Sequence, residues 1–224
     1  MVYLIVYFYT LFIINLAKIS NIIKLDTLQN AQVQAVPYPY FILDNVIHDD
    51  EVKAVIADFP PITQGGSFNL TDVEIKPNFD RFLKSFDTTE FRQILTDKFD
   101  VDVMERPMMI TLRGYSRQKD GRIHTDSKSK LLTVLVYLNE SWEAPTGRLR
   151  ILNSPNDIND YAAELDSGPG TLVAFKVTEN GWHGYIPYEG QRQSIQINFL
   201  TSDKAGAKHR FFHGLSAKIK KIFK

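Results

Sequence analysis

The sequence predicts an α+β lead-in followed by an antiparallel β sandwich or barrel. Apolar residues repeat at helical spacing up to about residue 100. Beyond residue 105 the apolar period falls to two. Six short strand-like runs then follow, separated by Gly, Pro, Asn and Asp clusters with no helical pattern between them.

The elements read in order as follows. "VPYPYFILDNVI" (36–47) is a Pro-punctuated lead-in to a short strand. "DDEVKAVIADFPP" reads as a helix: Asp49 and Asp50 lie at its start, Val52, Val55 and Ile56 repeat at helical spacing, and two prolines end it. "FDTTEFRQILTDKF" reads as a second helix, with Asp87 and Glu90 in the form of a capping box and Phe91, Ile94, Leu95 and Phe99 as its apolar stripe. Strands are expected at 107–115, 130–139, 147–152, 170–177, 182–186 and 194–200. In "KLLTVLVYLN" both alternating faces are largely apolar, which marks a central strand covered on both sides. Thr133 and Tyr137 are then buried and need partners.

At 224 residues and 44% hydrophobic, the chain is sized for one ordinary core. Its formal net charge is zero, so no global positive field points to nucleic acid. With no cysteine, disulfides, thiolate metal sites and cysteine nucleophiles are excluded.

The two ends stand apart from this expected domain of 18–202. Residues 1–17 are apolar and uncharged before Lys18, at the lower limit for a membrane-spanning helix. They read either as an anchor or as an extension upstream of the working start. As an anchor they would leave Lys18, Lys24 and the rest of the chain on the cytoplasmic side. The tail 203–224 carries seven Lys/Arg and one Asp. Phe211, Phe212, Leu215, Ile219, Ile222 and Phe223 give it the stripe of a basic amphipathic helix, which either packs on the domain or meets a membrane surface.

The chemistry starts at "RIHTDSK". On a strand, residues two apart share a face, so His124 and Asp126 could grip one ion. Two histidines and one carboxylate hold iron in many oxygen-activating enzymes and leave coordination positions open. The third ligand must come from elsewhere. His48 precedes a helix, His209 and His213 lie in the tail, and His183 lies at a turn leading into a strand. In the last strand Arg192, Ser194, Gln196 and Asn198 share one face and Ile195, Ile197 and Phe199 the other.

The order H-T-D (124–126), Y-L-N (137–139), G-x-L-x-I (147–151), G-x-L-x-x-F (170–175) and W-H (182–183), with Arg nine and Ser eleven residues after that His, resembles the 2-oxoglutarate/Fe(II)-dependent oxygenases. Within them it is most similar to the prolyl-4-hydroxylase-like branch, over about residues 105–200. The resemblance implies a double-stranded β-helix, a jelly-roll or cupin-like barrel, with supporting N-terminal helices. It implies His124, Asp126 and His183 as iron ligands and Arg192 as the partner of the distal carboxylate of 2-oxoglutarate. Tyr137 would assist at that carboxylate; Ser194, Thr133 and Tyr115 would be pocket neighbours. Trp142, Trp182 and Tyr185 are candidates for a substrate entrance. Fe(II), 2-oxoglutarate, O2 and ascorbate as reductant are the implied cofactors, for hydroxylation of a small molecule or peptide in the cytoplasm. A metal-binding isomerase of cupin type or a non-catalytic sensor are the alternatives on the same barrel. "PTGRLRIL" departs from the branch, with one Gly where many relatives have two.

Overall fold

The computed structural model describes residues 21–202. The expectations for 1–17 and 203–224 lie outside the described residues. Among the described residues, no helix is long and apolar enough to cross a membrane.

Within the described residues four α-helices and nine strands order as α1 (Leu25–Asn30), β1 (Tyr40–Leu43), α2 (Val52–Ala57), β2 (Phe68–Asn69), α3 (Pro77–Lys84), α4 (Thr89–Phe99), β3 (Met108–Ser116), β4 (Lys130–Tyr137), β5 (Arg150–Leu152), β6 (Tyr161–Glu164), β7 (Leu172–Lys176), β8 (His183–Gly184) and β9 (Gly190–Leu200). A six-stranded sheet runs β1-β7-β4-β9-β3-β2, and a three-stranded sheet runs β6-β5-β8. All pairings between these strands are antiparallel. This is the expected double-stranded β-helix.

The large sheet has two different faces. Its helix-facing side contributes Leu132, Val134, Val136, Ile195, Ile197 and Phe199 to one core with Val55, Phe79, Phe82, Phe91 and Leu95. Edge-on aromatic contacts tie the helices together: Phe82–Phe86 at 5.0 Å and Phe86–Phe91 at 5.2 Å between ring centroids. The opposite side contributes Tyr137, Val173 and Phe175 to a second, smaller core with Leu149, Ile151 and Tyr185. Strand β4 is therefore central and covered on both faces, as its sequence predicts.

Some elements differ from the expectation. Helix α3 was not anticipated, although Pro77 stands in its first turn and Phe79, Phe82 and Leu83 are its buried face. The first turn of α4 is capped by Thr88, whose Oγ1 accepts from the Phe91 amide at 3.2 Å. Asp87, the expected cap, instead accepts from Arg92. Thr88 is preferred because its backbone is extended where the helix begins, as an N-cap requires. Strand β6 lies where the sequence shows only acidic spacing, and β9 begins four residues before the expected 194.

Candidate metal centre and cosubstrate pocket

His124 and Asp126 do not sit on a regular strand. They lie in the loop between β3 and β4, held by a single bridge to β8. The His124 amide donates to the His183 carbonyl and the His183 amide to the His124 carbonyl, both at 3.0 Å. The Tyr185 amide continues this edge by donating to Gly121 O at 2.9 Å. Gly121 has φ +91°, and a Cβ there would stand 2.4 Å from Tyr185 O, so only glycine lets the loop lie this close. The loop thus extends the small sheet by one irregular strand. It sets the two imidazoles opposite each other, with ring centroids 4.3 Å apart.

The ring orientations carry further information. His124 Nδ1 lies 2.8 Å from Arg122 O, and His183 Nδ1 lies 2.9 Å from Gly181 O. A carbonyl oxygen only accepts, so each Nδ1 donates and each Nε2 keeps its lone pair. Histidine ligands are oriented in this way in metal sites. Candidate ligand atoms of His124, Asp126 and His183 all lie within 4.8 Å of one another. His183 is 3% exposed. Burial, and then the field of His124, pull its pKa down to about 4, so its ring is neutral at physiological pH.

Asp126 is the anionic member of the set. Lys130 Nζ donates to its Oδ1 at 2.7 Å and Thr133 Oγ1 to its Oδ2 at 2.5 Å. Burial works to raise its pKa, but the charges of Lys130 and His183 and these two bonds outweigh that, and the net effect lowers it. Thr133 therefore acts on the carboxylate, not as a separate pocket wall. Lys130 was missing from the sequence reading. Strict alternation places it on the opposite face from Thr133, but the register with β9 shifts between Lys130 and Leu132.

Arg192 lies in the same cavity, of about 220 Å3, as His124, His183, Tyr137, Leu135, Leu149 and Tyr185. It is 4% exposed. Its Nε donates to Gly147 O at 2.9 Å and one terminal nitrogen donates to the Tyr137 hydroxyl at 2.9 Å. The guanidinium packs over the Tyr185 ring at 4.2 Å and the Tyr137 ring at 5.0 Å. Its remaining N–H groups have no protein acceptor among the described residues. Tyr137 accepts from Arg192, so its own proton is free to donate. Burial raises the Tyr137 pKa against the opposing charge of Arg192, which keeps that proton in place. Ser194 Oγ, two residues along β9, is buried without a hydrogen-bond partner among the described residues, and Ser194 does not itself line the cavity.

Three candidate residues are not brought to this cavity. The β3–β9 register shifts between the Arg113↔Ser194 and Tyr115↔Gln191 pairs, with the extra residue on β9. Tyr115 then pairs with the exposed Gln191, and the next residue, Ser116, takes the inner side and bonds the Tyr185 hydroxyl at 3.0 Å. Trp142 packs edge-on against Tyr188 and donates to Thr146 O, beside a different cavity. Trp182 is half-buried, with its carbonyl accepting from Tyr38 and Leu152. Tyr185 does line the metal cavity. Arg113, Lys119 and Arg122 line it too, and none was read from the sequence.

Residues 110–200 match the family model of the 2OG-Fe(II) oxygenase superfamily. This segment is a 2OG-Fe(II) oxygenase domain. A prolyl-4-hydroxylase of Pseudomonas putida superposes on the chain with a TM-score of 0.55 at 18% identity, covering 79% of this chain and 90% of that one. A prolyl 4-hydroxylase of Phytophthora capsici gives 0.50 at 18% identity, covering 82% and 63%. At that identity the likeness is one of fold. No curated protein matches the chain in sequence.

The cofactors of the oxygenase domain are Fe(II), 2-oxoglutarate and O2, and the residues present fit them. The His-Asp-His donor set suits Fe(II), since it offers three ligands and leaves positions open. For 2-oxoglutarate, the cavity offers a planar guanidinium with unused donors and a tyrosine proton, and the unpartnered Ser194 hydroxyl lies two residues from Arg192 on β9. These are the groups a buried carboxylate needs.

Proposed function

We propose that this 2-oxoglutarate-dependent oxygenase hydroxylates a C–H bond of a small substrate, with His124, Asp126 and His183 holding the iron and Arg192, Tyr137 and Ser194 anchoring 2-oxoglutarate. One observation carries the assignment of residues: the paired imidazoles and the Arg192–Tyr137 pair share a single cavity. A metal site of cupin type with no 2-oxoglutarate would leave the donors of Arg192 unused.

The bound cofactors supply an oxidative decarboxylation in which 2-oxoglutarate and O2 give succinate and CO2, and one oxygen atom enters the substrate C–H bond. The chain supplies geometry and charge. The two backbone carbonyls at Arg122 and Gly181 fix the imidazole tautomers. Lys130 and Thr133 hold the Asp126 carboxylate in one orientation. Gly147 O and Tyr137 fix the guanidinium so that its free edge meets a carboxylate in a bidentate fashion. Leu135, Leu149 and the Tyr185 ring limit the water around that pair, which strengthens it.

The fold shared with prolyl 4-hydroxylases makes a proline ring C–H bond, in the free amino acid or in a peptide, the first to try. Ascorbate as reductant and a cytoplasmic location belong to the same proposal; a reducing compartment suits Fe(II) and a chain without cysteine. Iron-dependent release of succinate from 2-oxoglutarate is the test. The full-length protein should release succinate, and Asp126→Ala should reduce the rate to background. Succinate release that survives in Asp126→Ala would remove the carboxylate from the metal site.

A further inference from the structure

The cavity holds more positive charge than iron and cosubstrate account for. Arg113, Lys119 and Arg122 line it together with His124, His183 and Arg192. None of these three side chains has a hydrogen-bond or ion-pair partner among the described residues. The one carboxylate in that lining, Asp120, is already engaged. It accepts from Arg117 Nε at 3.0 Å, from a terminal Arg117 nitrogen at 2.9 Å and from the Arg117 amide at 3.0 Å. Arg113 reaches Asp120 only as a minor through-space charge.

The cosubstrate does not remove the excess. Fe(II), Arg192 and Lys130 carry four positive charges, and Asp126 with the two carboxylates of 2-oxoglutarate carries three negative ones. Arg113, Lys119 and Arg122 come on top of that. A cleft lined by one sign of charge, with apolar walls at Leu135 and Leu149, concentrates the opposite sign in its ligand. Arg113 is the best placed of the three. It is half-buried on a rigid strand, directly opposite Ser194 across the β3–β9 pair, whereas Lys119 and Arg122 are exposed on the loop.

We infer that the primary substrate is a small acid whose carboxylate or phosphate group is held by Arg113, with Lys119 and Arg122 at the rim. The inference rests on the 2-oxoglutarate-oxygenase reading of the same cavity. It disfavours an uncharged residue inside a peptide, which would leave Arg113 unpaired in a partly dry site.

The test uses full-length protein in excess over Mn(II), with saturating 2-oxoglutarate. Inorganic phosphate and acetate serve separately as probes, and paramagnetic relaxation of their phosphorus and carbon signals reports approach to the metal. Saturable relaxation of at least one probe is expected with 2-oxoglutarate bound, and the stronger probe identifies the anion class. Arg113→Gln should weaken that binding about tenfold, the loss of one charge-assisted bond. Arg122→Gln, on the exposed loop, should weaken it by a smaller factor and supplies the comparison if the strand variant does not fold. A 2-oxoglutarate titration of each variant checks that the cosubstrate site is intact. The inference is overturned if neither probe relaxes saturably, or if both variants bind as well as the parent chain. If the Mn(II)-loaded protein does not bind 2-oxoglutarate, the functional reading fails first and the inference falls with it.

Discussion

At the scale of single residues, the site depends on groups that fix other groups. Gly147 shows this most clearly. Its carbonyl accepts from Arg192 Nε, and its φ is +87°. A Cβ there would stand 2.6 Å from Trp142 Cζ2 and 2.9 Å from Tyr188 Cβ. The single Gly of "PTGRLRIL" thus serves the proposed cosubstrate anchor as well as the turn. Gly147→Ala is expected to cost roughly 1–2 kcal/mol from backbone conformation alone. It should also raise the KM for 2-oxoglutarate severalfold while metal affinity stays the same. Thermal unfolding, steady-state kinetics and a Mn(II) titration separate the three effects. An unchanged KM would show that the Gly147 carbonyl does not position Arg192.

At the scale of elements, the sequence was most legible where alternation is unbroken. Strand β4 shows two apolar faces, and the structure buries both. In β9, Arg192, Ser194 and Asn198 are buried on one face while Ile195, Ile197 and Phe199 fill the helix-side core. Alternation misleads at the register shifts, because an extra residue reverses the faces beyond it. Across the β3–β9 shift Ser116, and not Tyr115, reaches Tyr185, and the shift at the start of β4 turns Lys130 toward Asp126. Gly114 stands within the first shift and is the one sequence signal of it, whereas Leu131 at the second shift gives none. Helix α3 was legible in principle from Pro77 and the spacing of Phe79, Phe82 and Leu83. The metal motif was legible as residues but not as structure, since its loop is ordered by long-range pairing with β8.

At the scale of the whole molecule, the double-stranded β-helix buries ligand groups whose protonation is tied to folding. In the metal-free protein His183 has its pKa at about 4 against an ordinary 6.5. Between those values the unfolded chain takes up a proton that the folded chain refuses. Stability is therefore fully present above about pH 6.5 and lost as pH falls toward 4, by roughly 3 kcal/mol at most. Asp126, with its pKa lowered, extends the loss below pH 3.8. Denaturant unfolding of metal-free protein across this range should show the decline, and His183→Gln should flatten it. In the proposed function a metal at the His-Asp-His set and 2-oxoglutarate at Arg192 share one cavity. Calorimetric titration of 2-oxoglutarate into the protein, with and without Mn(II), tests it most directly. Binding should require the metal and weaken at least about tenfold in Arg192→Lys, which keeps the charge but loses the bidentate fork. Binding that is equally tight without metal, or undiminished in Arg192→Lys, would contradict it.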